Sequence, residues 1–175
     1  GEIQIGERIV RSRDEIEERR QRDVRQHIAQ FGISIQLISG SPSFIYTVGM
    51  TILGAPELIC FGLSPESVAG AMNEFYEQIR LGVRKKDISR EDDVWDLPFY
   101  LDPVESSKLE GLATATFAYF EGSGLTPTFR QLVWPDPRGF YPFEAQFDES
   151  RRARQPYFGT RKRRDADHDM SLSLN

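Results

Sequence analysis

The first regular pattern of apolar residues follows Ser12 and predicts a helix over residues 12–31. Ser12 and Glu15 have the spacing of a capping box, and Gly32 stands where a left-handed residue commonly ends a helix. The apolar positions at near-helical spacing are Ile16, Val24, Ile28 and Phe31. So thin a stripe predicts a helix that lies on a sheet edge or packs against a second copy.

Three extended runs follow this helix and predict neighbouring strands. Residues 33–38 and 44–50 are rich in β-branched side chains, and the Gly-Ser-Pro-Ser sequence at 40–43 has the composition of a turn. These two runs predict a hairpin. Residues 57–63 are almost continuously apolar, which is typical of a strand covered on both faces, so this third strand should be central.

A second helix is well specified over residues 64–82. Ser64 is an N-cap residue, Pro65 suits the first helical position, and Gly82 suits the end. One apolar stripe along the segment should face the sheet. It consists of Val68, Met72, Phe75 and Ile79.

The second half of the chain is less regular. After a polar and acidic stretch, alternating apolar residues at Trp95, Leu97, Phe99 and Leu101 predict a short strand. Residues 108–120 are ambiguous, because Ser107 and Glu110 could cap a helix whereas the threonines and aromatics favour a strand; we take the helix. Residues 128–134 predict a strand, and Asp136-Pro137-Arg138-Gly139 predicts a type I turn that returns the chain through residues 140–143 as an edge strand.

These elements indicate an α+β fold with a mainly antiparallel sheet, an N-terminal helix, and one or two helices packed on the sheet. At 175 residues, with 39% hydrophobic residues, the chain suits one compact domain. We divide it into an N-terminal helical segment, 1–31, the α+β domain, 32–158, and a polar tail of basic and acidic residues, 159–175.

Charge and composition narrow the classes of function. The net charge is −5, yet the stretch from Arg151 to Arg164 carries seven basic residues and no acid. Nucleic-acid binding is therefore not expected except through that stretch, which we interpret as a solvated tail. One cysteine and two histidines exclude a Cys/His zinc site within one chain, so no metal is expected. No apolar run is long enough for a membrane span, and we expect a cytoplasmic protein.

No pattern in the sequence identifies a catalytic residue. Cys60 with His27 is the obvious nucleophile and base, but Cys60 lies in the most apolar run, where a thiol is usually inert. Residues 61–65 form a strand-to-helix turn whose amides could bind an anion, but they lack the glycine repeat and lysine of a phosphate loop, so we interpret them as a plain helix start. An acidic cluster, Glu91, Asp92, Asp93 and Asp96, matches no EF-hand and is typical of a solvated loop.

Three motifs in order resemble the uncharacterised bacterial DUF4262 family. They are the Phe-Ile-Tyr-Thr-Val-Gly sequence at 44–49, Pro-Glu-Leu-Ile at 56–59 with Phe-Gly-Leu at 61–63, and Gln-Leu-Val-Trp-Pro-Asp at 131–136 with Gly139. The resemblance implies a compact α+β domain whose loops at 46–49 and 134–136 are the places to look for a site. It implies no particular activity. Ala55 stands where members of that family often have a histidine, which argues against conventional acid–base catalysis in this chain.

From these motifs we predict one ligand-binding site formed by Tyr46, Thr47, Gly49, Glu57, Trp134 and Asp136. Aromatic rings with polar groups near loop ends are typical of interfaces and of small-molecule pockets. The leading hypothesis is a recognition domain that binds a protein partner, a second copy or a small ligand. The alternatives are an enzyme that holds a flavin or nucleotide with hydroxyl contacts from Thr47 and Ser64, and a weak nucleic-acid contact through Arg151 to Arg164.

Overall fold

The computed structural model describes residues 2–5, 8–86, 90–91 and 98–162. The helices of this part are α1 (Arg13–Phe31), α2 (Pro65–Arg80) and α3 (Thr114–Phe120). The strands are β1 (Glu2–Ile5), β2 (Arg8–Arg11), β3 (Ser34–Ile38), β4 (Phe44–Val48), β5 (Glu57–Phe61), β6 (Arg90–Glu91), β7 (Phe99–Val104) and β8 (Phe129–Val133).

Six strands form the main sheet in the order β3-β4-β5-β8-β7-β6. All neighbours are antiparallel except β5 and β8, which pair in parallel with Glu57 opposite Phe129. Strands β1 and β2 make a separate antiparallel hairpin, which precedes the helix predicted over 12–31 and lies within the segment 1–31 that we described as helical. The α+β class and the mainly antiparallel sheet are confirmed.

The central position of β5 follows from its composition. All five of its residues are buried, because the sheet carries a core on each face. One core packs against α2 and contains Ile45, Leu58, Cys60, Leu132 and Trp134 among others. The opposite core lies against α1 and α3 and contains Val24, Tyr46, Ile59, Phe61, Phe120 and Phe129 among others.

The first two helices begin and end close to the predicted residues. The Ser12 hydroxyl accepts a hydrogen bond from the Glu15 amide at 3.3 Å, and Gly32 ends α1 in the left-handed region with φ of 83°. A Cβ at Gly32 would also overlap the Tyr76 hydroxyl, so a side chain there would force that ring to move. Ser64 is the N-cap of α2, but its hydroxyl makes no capping hydrogen bond.

Two predictions in the second half of the chain need correction. Residues 114–120 are helical, as predicted. Ser107 and Glu110, however, do not cap that helix, because Ser106–Lys108 is a separate 3-10 turn and Ala113 is the N-cap. The return strand over residues 140–143 is wrong. After the Asp136–Gly139 turn, backbone groups of Phe140 and Tyr141 bond to Asp136 and to the Glu144 side chain instead of to a strand.

The chain beyond residue 154 packs across β8 and β7. The Gln155 amide bonds to both Trp134 backbone groups, at 3.0 and 2.9 Å, and the Gln131 amide bonds to Pro156 and Phe158, both at 2.8 Å. Arg161 follows, with its Nε 2.8 Å from the buried Asp102 carboxylate. The first residues of the predicted tail are thus held on the sheet.

Part of the strand predicted from Trp95 to Leu101 lies outside the described residues. The strand itself begins at Phe99, while Trp95 and Leu97 are outside that part of the chain. The same holds for Asp92, Asp93 and Asp96 of the acidic cluster and for the end of the basic stretch beyond residue 162.

Candidate functional site

The structure does not bring the six predicted site residues together into an aromatic-lined hollow. Tyr46 is fully buried in the core beneath α1 and α3, whereas Trp134 is buried in the core beneath α2, on the other face of the sheet. Thr47, Glu57 and Asp136 are also buried. In this structure these side chains are enclosed within the protein and the two aromatic anchors lie on opposite faces of the sheet, so a ligand site formed by all six residues stays a prediction that this geometry does not favour.

Glu57 anchors the turn after β4. Its carboxylate accepts hydrogen bonds from the Thr47 hydroxyl at 2.9 Å and from the backbone amides of Gly49, Met50 and Thr51 at 3.3, 3.0 and 2.8 Å. The Thr51 hydroxyl donates a further, short hydrogen bond. Burial raises the pKa of Glu57, and the hydrogen bonds from Thr51, Thr47 and Met50 oppose that rise. Every donor belongs to the turn or to β4, which makes this carboxylate a structural group.

Asp136 performs the same task in the loop after β8. Its Oδ1 accepts from the amides of Arg138 and Phe140 at 2.9 and 3.0 Å, and its Oδ2 accepts from the Asp148 amide at 3.0 Å. Burial opposes ionisation, but these amides and the Arg138 guanidinium outweigh it, so the pKa of Asp136 lies below its ordinary value. The side chain therefore joins two loops.

The polar atoms of the two predicted aromatic anchors are also used inside the protein. The Tyr46 hydroxyl accepts from the Ala115 amide at 3.1 Å, in the first turn of α3. The Trp134 indole Nε1–H donates to the Phe61 carbonyl at 2.8 Å. These bonds tie α3 and the end of β8 to strands β4 and β5 respectively.

Removing the Tyr46 hydroxyl should have a measurable cost. Tyr46→Phe leaves the buried Ala115 amide without its acceptor, which should lower the free energy of unfolding by about 1–3 kcal/mol. Urea denaturation measures the loss. The control is Tyr119→Phe, at a partly exposed tyrosine on α3, the helix that contains Ala115. Equal stability of the two variants would contradict the role given to this hydrogen bond.

The candidate nucleophile and base do not form a pair. Cys60 is buried against α2, and burial raises the pKa of its thiol. His27 lies on α1, where its Nδ1 is 2.9 Å from the Ser34 hydroxyl. In the described part of the chain, no three His, Cys, Asp or Glu side chains are grouped to hold a metal ion. No helix in those residues is long and apolar enough to cross a membrane.

An open cleft of about 610 Å³ lies instead where three separate loops meet at the carboxyl end of β5. We call it the β5 cleft. Its lining residues come from the β3–β4 loop, the start of α2 and the segment after residue 149: Gly40, Ser41, Pro42, Ser43, Gly62, Leu63, Ser64, Ser150, Ala153 and Arg154. None of the six predicted site residues lines it, although the Trp134 ring is its neighbour, with the Arg154 guanidinium 5.8 Å from the ring centre.

Gly62 holds the three loops of the β5 cleft together. Its amide donates to the Ser43 carbonyl at 3.0 Å, and its carbonyl accepts from Arg154 Nε at 2.8 Å. Its φ of +77° favours glycine, and a Cβ there would lie 2.5 Å from the Arg154 carbonyl oxygen. Only glycine therefore lets residue 154 approach β5 this closely.

The chemistry of the β5 cleft is suited to an anion. The first amides of α2 have no intrahelical acceptors, and the helix dipole makes this end partly positive. Ser41, Ser43 and Ser64 line the same space, and Arg154 contributes a cation. Arg151 and Arg152, in contrast, are paired with Asp148 and Glu149 at 3.4 and 2.8 Å.

The sequence contained one signal for this cleft, the strand-to-helix turn at residues 61–65, which we interpreted as a plain helix start. It contained no signal that residues 40–43 and 150–154 would join that turn. The missing information is a long-range contact, since about ninety residues separate Gly62 from Arg154 and the contact depends on the absence of a side chain at Gly62.

Fold and cleft together define an α+β domain with a mostly antiparallel sheet and a ligand-sized opening at the carboxyl end of a central strand. The chain belongs to the family described as "Domain of unknown function (DUF4262)", whose family model matches residues 27–148. No curated protein and no solved structure matches it. The matched range contains residues 40–43 and 62–64 of the β5 cleft, while the third lining segment, residues 150–154, follows it.

Proposed function

We propose that this protein is a small recognition domain that binds a phosphate-bearing small molecule in the β5 cleft. One observation carries the proposal: three serines, Arg154 and the N-cap residue of α2 line one open space. The proposal keeps the predicted class, a recognition domain, and moves its site away from Tyr46 and Trp134. We also place the protein in the cytoplasm, where a lone buried thiol such as Cys60 suits the reducing conditions.

Each group in the β5 cleft has a defined use towards a phosphate. Pro65 has no N–H, so the amides of Glu66 and Ser67 are the donors at the start of α2. Ser64 makes no capping bond of its own, which leaves its hydroxyl available to a ligand. Arg154 donates its Nε–H to the Gly62 carbonyl, and its guanidinium has two further nitrogens that can donate to an oxyanion.

Size and position are consistent with a small-molecule site. A volume of about 610 Å³ lies within the usual range for ligand pockets, roughly 300–1,000 Å³. The β5 cleft also opens beyond the carboxyl end of β5, where one neighbouring strand is antiparallel and the other is parallel.

The two rival functions draw less support from the described residues. A flavin or nucleotide enzyme was expected to use Thr47, but Thr47 is buried and its hydroxyl donates to Glu57 and accepts from Leu58. Ser64, the other expected contact, does line the β5 cleft, so a nucleotide phosphate belongs to the proposed class of ligand. For the nucleic-acid arm, Arg151, Arg152 and Arg161 are each paired with an acid, which reduces the charge available to a polyanion.

The test places a negative charge at the mouth of the β5 cleft without harming the helix. Asp and Asn are both favourable N-caps, so Ser64→Asp and Ser64→Asn should fold as well as the wild type. Only the aspartate should repel a phosphate, and it should weaken binding at least about tenfold, equivalent to about 1.4 kcal/mol. Calorimetric titration of inorganic phosphate and of AMP at low salt measures this, with thermal melting as the check on folding.

The possible results distinguish binding in the β5 cleft from binding elsewhere and from no phosphate binding. Binding by the wild type and Ser64→Asn, with loss in Ser64→Asp and in Arg154→Gln, supports the β5 cleft as the site. Equal binding by Ser64→Asp and Ser64→Asn would move the site elsewhere. A wild type that binds neither phosphate nor AMP overturns the proposed ligand class.

A further inference from the structure

The outer edge of β3 is the least protected part of the main sheet. Strand β3 stands at one end of the strand order, and within the described residues no strand pairs with its outer side. Apolar side chains around this edge are exposed: Ile16 at 48%, Phe31 at 60% and Leu37 at 55%. Natural proteins usually protect such an edge with charges, proline or a covering segment, because it offers backbone groups to any extended chain.

The hydrogen-bond pattern identifies which backbone groups point outward. Successive residues of an antiparallel ladder direct their N–H and C=O groups to alternate sides. Because Gly62 bonds to Ser43, the odd-numbered residues of β4 face β5 and the even-numbered residues face β3. Their partners in β3 are Ser34, Gln36 and Ile38. The residues between them, Ile35 and Leu37, therefore direct their N–H and C=O groups away from the sheet.

We propose that a second copy of this chain docks on the β3 edge, so that the two sheets join through antiparallel β3 strands related by a two-fold axis at Gln36. This register pairs Ile35 of each copy with Leu37 of the other. Both residues present outward backbone groups, so the four N–H groups and four C=O groups meet in complementary positions. Ile35 and Leu37 also share one face of β3, and each exposed Leu37 would be covered by Ile35 of the second copy.

The charges beside this edge are self-complementary in the same arrangement. A groove of about 650 Å³ runs between α1 and β3, and the stretch of α1 that lines it extends from Ile16 to His27 alongside Ile35 to Ile38. Since His27 of α1 contacts Ser34 at the start of β3, the proposed arrangement has α1 running back along β3, with the stretch between Arg19 and Asp23 beside the axis. A two-fold axis makes the two α1 helices antiparallel, which brings Arg19 of each copy towards Asp23 of the other.

This charge pattern is why a second copy is favoured over an unrelated extended peptide. A peptide could use the backbone groups of Ile35 and Leu37, but it would not supply both charges in the required order. The proposal is independent of the β5 cleft, whose lining includes none of these residues.

The experiment measures the mass of the full chain by light scattering and by sedimentation over a wide range of protein concentration. One chain has a mass of 20.1 kDa, and the wild type should reach twice that mass. Leu37→Lys should remain at the mass of one chain, because a lysine on an edge strand opposes edge-to-edge pairing. Leu125→Lys, at another exposed leucine (47% exposed), is the matched control and should dimerise like the wild type.

A charge exchange tests the two-fold arrangement itself. Asp23→Arg should weaken the dimer by placing arginines opposite each other, and adding Arg19→Asp in the same chain should restore it. A wild type that stays monomeric, or a Leu37→Lys variant that still dimerises, overturns the proposal. Failure of the double exchange to restore the dimer overturns the antiparallel pairing of α1. Thermal melting of each variant confirms that the mass change does not come from unfolding.

Discussion

Glu57→Ala should lower the free energy of unfolding by about 4 kcal/mol, a larger loss than we expect from Tyr46→Phe or from Asp136→Asn. Three backbone amides, those of Gly49, Met50 and Thr51, lose their acceptor in a buried turn. Each buried donor left without a partner costs about 1–3 kcal/mol. Chemical denaturation followed by circular dichroism gives the measurement.

Glu57→Gln refines this expectation. The amide keeps the volume and one acceptor oxygen, but its NH2 group meets donors where an oxygen stood, so we expect a loss of about 2 kcal/mol, smaller than for alanine. Glu110→Gln, at an exposed glutamate, is the matched control and should change stability by less than about 0.5 kcal/mol. If Glu57→Ala were as stable as this control, the carboxylate would be free for chemistry and the structural role would be wrong.

Asp136→Asn should destabilise the protein by about 2 kcal/mol at neutral pH. The asparagine oxygen can still accept from the amides of Arg138 and Phe140, but its NH2 group then faces the Asp148 amide, which becomes an unsatisfied donor. The connection between the turn at 136–139 and residue 148 should loosen first. Hydrogen exchange of the Asp148 amide should therefore be faster in Asp136→Asn than in the wild type.

The effect of Asp136 should also depend on pH in a defined direction. Its pKa in the folded protein lies below the ordinary value of 3.8 because backbone amides stabilise the carboxylate. The folded state thus releases this proton more readily than the unfolded state does. The stabilisation is fully present above pH 3.8 and is lost as the pH falls through the lower, folded-state value.

Denaturation curves at neutral and acid pH test this dependence. The difference in stability between the wild type and Asp136→Asn should shrink as the pH falls below about 4. Asp14→Asn, at an exposed aspartate in the first turn of α1, is the matched control and should cost less than about 1 kcal/mol. A wild-type advantage that grew in acid would contradict the lowered pKa of Asp136.

Most of the elements could be predicted because their signals are local. Ser12 and Gly32 mark the ends of α1 through a cap and a left-handed residue, and both do so in the structure. The continuous apolar run at β5 reflects two cores rather than one, so its central position could be predicted directly. Where local signals conflicted, as around Ser107 and Glu110, the boundaries were wrong, because packing of Ala115, Thr116 and Phe120 decides where α3 begins.

The roles of the polar residues could not be predicted in the same way. Glu57 and Asp136 stand out in the sequence as carboxylates within distinctive motifs, which is equally compatible with a binding site and with a buried anchor. The difference lies in their hydrogen-bond partners, and for Asp136 one of these, Asp148, is twelve residues away. Likewise, the tail was predicted to be solvated because it lacks apolar residues, yet Arg161 is held by a carboxylate and two aromatic rings.

The sequence by itself determined α1, α2, the β3–β4 hairpin, the central strand and the α+β class, because caps, turns and apolar periodicity act over a few neighbouring residues. Only the tertiary structure decided that Tyr46 and Trp134 lie in cores on opposite faces of the sheet. It also decided that the open cleft is built from residues 40–43, 62–64 and 150–154. The physical reason is that burial and long-range contact are properties of the assembled sheet, where a glycine at residue 62 lets a segment about ninety residues away complete a surface.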